Sequence, residues 1–322
     1  MKDRDTLYRI KQIPGMACAF DNQIPGFARA QSPTTPLVQF AEKVISNATS
    51  AGQYIEEFDA SYFGEVEAPF QVTAGQTGKV RGDVFEMLCR AVLWNCGALV
   101  RGGTSQSKSE NFEIPDSLSG LSGQKNLALL TLGDNYDLKK LLRPKSALKL
   151  AEFEKGLQKR GTSIKYSTPD IICVDTTSYG TEVNDYFDHL IESLNSDNQE
   201  RLVHARTMIE GKVDPSDIKF AGGIKTSIRS DRMYQFLYEA NSWKFLWSRA
   251  FRTEPSAYYV LTSQVFGADP KKLSSVDFSS VETGLDQARK AIDGVFHLDT
   301  PAALIGWLVE RIAEMDEQYG AA

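Results

Sequence analysis

The sequence predicts an α/β fold in a single domain, 1–322, that opens with an irregular N-terminal arm. Three observations carry this. Apolar runs too brief for helices recur at Leu127–Leu132, Ile171–Val174 and Tyr258–Thr262, with the length and composition of buried strands. Longer stretches between them carry apolar residues at helical spacing. No internal repeat or sharp compositional shift marks a domain boundary.

At 322 residues, with 42% hydrophobic and 24% charged, the chain has the composition of a soluble globular protein. No apolar run approaches the roughly 18 residues that a membrane helix needs. The charged start Met1-Lys2-Asp3-Arg4-Asp5 does not resemble a signal peptide, and a cytoplasmic protein is expected. The four cysteines, Cys18, Cys89, Cys96 and Cys173, form no CxxC pair, and the three histidines, His189, His204 and His297, lack metal-ligand spacing. Free buried thiols and no structural zinc follow. The net charge of −6 runs mildly against nucleic-acid binding, which depends on cations that neutralise phosphate. From Lys225 to Arg252, however, six basic residues face two acidic ones, Asp231 and Glu239. A positive surface can therefore sit on an acidic body.

Taken in order, turn signals at Ile13-Pro14-Gly15, Ile24-Pro25-Gly26 and Ser32-Pro33-Thr34-Thr35-Pro36 make the irregular arm of about residues 1–36. Helix is predicted from about Leu37 to Ile55 and from about Lys79 to Leu99, where Val84, Phe85, Leu88, Ala91, Val92 and Cys96 recur at helical spacing. The Gly- and Ser-rich stretch Arg101–Gln124 reads as a loop. Lys139–Lys159 reads as helix interrupted at Pro144, because proline lacks the N–H that a helix interior needs. Strands follow from Asp170 to about Asp175 and from Asp217 to Ile228, the second with a glycine pair, Gly222-Gly223, that lets another backbone come close. Ser230 suits the N-cap of the next helix. There Met233, Phe236, Leu237, Ala240 and Trp247 face a core, while Arg232, Gln235 and Glu239 share another side. A strand at Tyr258–Thr262 and an amphipathic helix from Thr300-Pro301 to about Gln318 complete the chain.

Metal-dependent phosphodiester cleavage needs carboxylates that hold Mg²⁺ and a lysine near the attacked phosphate. Pro169-Asp170 opens one strand and Lys225 sits in another. Each has a plain alternative: Pro-Asp often only shapes the start of a strand, and Lys225 can lie on the solvated face of an edge strand. The lysine is the more telling, since an ammonium in an apolar strand is costly unless it meets an anion. Arg229, Asp231 and Arg232 fit poorly as a merely charged first helical turn, because the positive end of the helix dipole disfavours arginine. As a reading head they fit well: arginine donates two bonds to guanine O6 and N7, and aspartate accepts from cytosine N4. Glu239 either pairs on the surface with Lys244 or Arg232, or faces back toward the strand of Lys225. Glu86, beside Phe85 and Leu88, is a half-buried carboxylate that needs either Arg90, four residues on, or a metal. Gly75-Gln76-Thr77-Gly78-Lys79 continues with Val80 where a phosphate loop has Ser or Thr, so ATP binding is not expected.

These residues resemble the restriction endonucleases of the PD-(D/E)xK superfamily. The Asp or Glu usual two positions before the lysine is Gly223 here, and Glu239, fourteen residues beyond Lys225, can replace it from the following helix. That spacing, with Arg-x-Asp-Arg inside it, resembles the branch that reads a CCGG core. Further likeness lies at Ile24–Ala28, Gly82–Glu86, Ala91–Cys96, Ser167–Asp170 and Leu237–Asn241. The resemblance implies a mixed β-sheet flanked by helices. It implies catalysis by Asp170, Lys225 and Glu239 with Glu86 as an additional carboxylate, Mg²⁺ held by Asp170, Glu239 and Glu86, and flanking readout by Lys79. It further implies a homodimer on double-stranded DNA with larger DNA-dependent assemblies open to it, a 5′ overhang, and a cognate DNA methyltransferase. Relatives with the same reading head recognise an interrupted CC-N-GG core, and half-site spacing belongs to the dimer interface. Two other readings use the same residues: a DNA-binding protein without cleavage, and a nuclease of low sequence preference, against which the compact Arg-x-Asp-Arg speaks.

Overall fold

The computed structural model describes residues 74–102, 126–133, 136–164, 168–191, 196–228, 233–265, 269–276, 290–298 and 301–319. The expected arm, the helix over 37–55, residues 103–124 of the expected loop, Cys18, and Arg229–Arg232 with the Ser230 cap lie outside them. The chain divides into two compact units, one drawn from Met1–Asn126, Asp185–Ala205 and Leu298–Ala322, the other from Leu127–Asn184 and Arg206–His297.

The second unit holds a five-stranded mixed sheet in the order β1-β2-β3-β4-β5. Its strands are β1 (Leu127–Leu130), β2 (Ile171–Asp175), β3 (Ile218–Ile228), β4 (Ala257–Val265) and β5 (Gly294–His297). β1, β2 and β3 pair antiparallel, whereas β3, β4 and β5 run parallel. A parallel neighbour requires a crossover. Between β3 and β4 the chain passes through a helix, Met233–Leu246, continued by a π-helical segment, Trp247–Phe251, that ends at Arg252 in the left-handed region (φ 56°). Phe236, Leu237, Ala240 and Trp247 are buried as their spacing predicts, and Trp243 stacks on Trp247 with ring centroids 3.9 Å apart.

The predicted break at Pro144 is present. A short helix, Leu138–Leu141, capped by the Asp137 carboxylate on Lys139 N, stops before a second one, Pro144–Gln158, in which the proline takes the first turn, where its missing N–H costs nothing. Two helices, Thr181–Phe187 and Ser196–Ile209, and the strand β5 were not expected. Among its described side chains the longer of these helices buries a narrow stripe of Leu202, Ala205 and Ile209 in a polar segment, and β5 is four residues long. Both signals are too small to stand out from loop composition.

The first unit is built on a 28-residue helix, Ala74–Arg101. It begins earlier than its apolar periodicity indicates, because Gly75 and Gly78 mask the first turn, and it stops at Gly102, whose φ of 93° only glycine adopts freely. The C-terminal helix Pro301–Tyr319 packs against it within the same unit, burying Leu304, Trp307, Leu308 and Ile312. Asn95 serves a passing backbone as another strand would: its amide donates to Ile191 O at 2.8 Å and accepts from Ile191 N at 2.7 Å. Trp94 adds a bond to His189 O (2.7 Å) and Arg101 an ion pair with Asp188 (2.7 Å).

Cys89, Cys96 and Cys173 are free and buried, as expected. Burial raises all three thiols, Cys96 up to about 12, so these groups are packing residues. Among the described residues no helix is long and apolar enough to cross a membrane.

Candidate active site

The β2–β3 register pairs Ile171 with Gly222, which leaves Asp170 just past the last pair, beside Gly223 and Ile224. The chain reaches this point tethered by Thr168, whose hydroxyl donates to Tyr136 O at 3.0 Å. From there the Asp170 carboxylate crosses to β3. One oxygen, Oδ2, accepts both the Ile224 N–H at 2.8 Å and the Lys225 ammonium at 2.5 Å. Side-chain exposures of 11% for Asp170 and 21% for Lys225 place the pair at a partly solvated edge, so Lys225 is neither a surface lysine nor an orphaned buried one. An ion pair in this setting keeps much of its Coulombic attraction while remaining open to a ligand.

Glu239 approaches from the other side, on the helix Met233–Leu246. It is 8% exposed. Its Oε1 accepts from Gln235 Nε2 at 2.9 Å, one turn back, and its Oε2 accepts from the Tyr258 hydroxyl at 3.3 Å. The surface-pairing alternative fails at Lys244, which instead joins Asp293 (2.7 Å) and Lys290 O (2.5 Å); Arg232 lies outside the described residues. Tyr258, on β4, is fully buried. Burial first, then the negative charges of Glu239 and Asp170, hold its phenol well above the ordinary tyrosine range. Both carboxylates thus act on one hydroxyl, which remains a neutral donor.

The two glycines of β3 have different tasks. A Cβ at Gly222 would lie 2.6 Å from Tyr259 O, so there only glycine admits the neighbouring strand. At Gly223 the nearest atoms are Phe236 Cε1 (3.4 Å) and Tyr258 Oη (3.6 Å), which is ordinary contact. A side chain at 223 would therefore point into the space beside the hydroxyl that Glu239 meets.

Glu86 belongs to the other compact unit. It is buried on the helix Ala74–Arg101 and faces Arg90 with Nη2–Oε1 3.6 Å, the i,i+4 pairing that its spacing allows. Lys79 lies on the same helix. Among the described residues no group of three or more His, Cys, Asp or Glu side chains gathers to hold a metal ion. Sequence reasoning missed Tyr258 and Asp293, and offered Lys244 as a surface partner of Glu239. Tyr258 lies 19 positions from Glu239, and an aromatic in an apolar strand looks like any core residue.

A model of the Cfr10I/Bse634I restriction endonuclease family matches residues 52–314. The chain belongs to that family. Cfr10I/Bse634I membership makes it a restriction endonuclease, a site-specific deoxyribonuclease. No curated protein matches the sequence. Among solved structures, the type IIF restriction endonuclease Bse634I with cognate DNA is similar at 19% identity and a TM-score of 0.68, over 87% of this chain and 92% of that one. A second Bse634I structure is similar at 19% identity and a TM-score of 0.65, over 84% and 90%. At that identity the likeness speaks for the fold, and the mixed sheet with flanking helices is the Bse634I restriction endonuclease fold.

Proposed function

We propose that this member of the family is a Mg²⁺-dependent type II enzyme that cuts both strands of a palindromic DNA site with a CCGG core and leaves a 5′ overhang. The observation that carries the proposal is the junction of β2 and β3, where Asp170 holds Lys225 at 2.5 Å, with Glu239 on the next helix bonded to the Tyr258 hydroxyl that the Asp170 charge also reaches. A non-cleaving DNA-binding protein has no use for that pair.

Two carboxylates suit Mg²⁺, which commonly takes one or two from the protein and the rest of its shell from phosphate oxygens and water. Asp170 and Glu239 are the residues that would hold it. When bound, the ion supplies a more acidic water and a positive charge beside the phosphate. Lys225 meets the scissile phosphate and the attacking water, so its ammonium opposes the charge that builds on the pentavalent phosphorus. Asp170 also orients Lys225 before substrate arrives, since that carboxylate is itself fixed by the Ile224 N–H.

Base reading falls to Arg229, Asp231 and Arg232, with Lys79 toward the flanking pairs. Arg229→Ala and Arg232→Ala should each weaken binding to the cognate duplex by about 1–3 kcal/mol and weaken binding to random DNA much less. Equal losses on both DNAs, in a fluorescence-anisotropy titration, would recast them as phosphate contacts. A palindrome with one active centre per chain calls for a two-fold dimer, each subunit cutting one strand. We take the motif resemblance to extend to SgrAI in particular, a reading that leaves larger DNA-dependent assemblies open, and a host that carries such an enzyme needs a cognate DNA methyltransferase.

Digestion of sequenced plasmid DNA with Mg²⁺, followed by mapping of the ends, tests the proposal. Fragments ending within CCGG, with 5′ overhangs and two chains per duplex in light scattering, are expected. Ends within CC-N-GG would replace the core by its interrupted form, and nicking by a single chain would overturn the dimer and the palindrome together.

A further inference from the structure

We infer that Tyr258 is a positioning residue for DNA cleavage: its hydroxyl holds the Glu239 carboxylate beside Gly223. This rests on the reading of Glu239 as a carboxylate that serves a metal ion. Three observations carry the inference. The Tyr258 hydroxyl donates to Glu239 Oε2 at 3.3 Å from full burial. That hydroxyl lies 3.6 Å from where a side chain at 223 would start. Finally, Tyr258 is itself clamped: its N–H donates to Asp293 Oδ2 at 2.7 Å, and its carbonyl accepts from Asp293 N at 2.9 Å. Asp293 in turn takes the Lys244 ammonium at 2.8 Å from the helix that bears Glu239. Helix and strand are thus joined twice, once through Lys244 and Asp293 and once through the phenol and Glu239.

The chemistry favours a phenol for this task. A lysine or arginine in its place would hold Glu239 equally well but would compete with a cation for the same carboxylate. A neutral hydroxyl orients the group and leaves its charge available. Such outer partners of ligating carboxylates commonly matter about 10–100-fold in metal affinity.

The test uses the full chain with Tyr258→Phe and Glu239→Gln. Cleavage is measured against Mn²⁺ concentration, and Mn²⁺ binding is followed by loss of the free-ion EPR signal, with a duplex carrying a cleavage-resistant linkage at the mapped site. Tyr258→Phe is expected to raise the Mn²⁺ midpoint about 10–100-fold in both assays while DNA affinity stays at the wild-type value. Wild-type midpoints for Tyr258→Phe beside an inactive Glu239→Gln overturn the role of Tyr258 alone. Wild-type cleavage by Glu239→Gln overturns the reading of Glu239 beneath it. Should Tyr258→Phe fail to fold, Gly223→Val decides, because its branches extend beyond a Cβ that already stands 3.6 Å from the hydroxyl and so crowd it: a raised midpoint supports the inference, and an unmoved one overturns it.

Discussion

Lys225→Ala is expected to yield a protein that binds its DNA site and fails to cut it. The Lys225 ammonium is within 2.5 Å of Asp170 Oδ2 and, in the proposed mechanism, meets the phosphate, so its loss should remove charge where the transition state develops it and leave base contacts in place. Loss of a single donor of this kind costs about 10²–10³-fold in rate. Asp170→Ala should be at least as severe, since one carboxylate both holds Lys225 and bonds the Ile224 N–H. It should also cost about 1–3 kcal/mol of stability, because two donors lose their acceptor at a part-buried site. Single-turnover cleavage, anisotropy binding and thermal melts separate these effects. Wild-type cutting by either variant removes that residue from the mechanism.

Glu239 gives the second large effect and a more discriminating one. Glu239→Ala should reduce cleavage about 10²–10³-fold, on the scale of a lost transition-state contact. It should also lower the melting temperature, since the buried Tyr258 hydroxyl then loses its acceptor at about 1–3 kcal/mol. Glu239→Gln keeps the volume and an acceptor for Tyr258 but drops the charge. It should melt close to the wild type and cut as poorly as the alanine variant. Adding Gly223→Glu to Glu239→Ala should restore part of the activity, because the first atoms of a side chain at 223 meet only ordinary contacts, Phe236 at 3.4 Å and Tyr258 at 3.6 Å. If the double variant cuts no faster than Glu239→Ala, positions 223 and 239 do not serve one purpose.

What the chain determines by itself is local. Ile171–Val174 and Tyr258–Thr262 announce strands because burial on both faces demands unbroken apolar runs. Pro144 announces a break in the helix over Lys139–Lys159 because its ring lacks the N–H that a helix interior needs. The spacing from Lys225 to Glu239, with Gly223 in the usual acidic position, singles out a set of residues by its resemblance to the family motif.

What needed the folded chain is everything that depends on register and on distant partners. The bonds from Ile224 N and Lys225 to Asp170 exist because β2 and β3 pair Ile171 with Gly222, a register to which no short window refers. Lys244 was as eligible for Glu239 as for Asp293, which stands 49 positions away. Only the parallel placement of β4 and β5 brings Asp293 to Tyr258 and Lys244. Tyr258 carries no mark in its own segment, since a strand in the core asks only for bulk there. A hydroxyl 19 residues from Glu239 becomes its partner because a crossover helix folds back over the sheet and burial leaves each polar group to find the other.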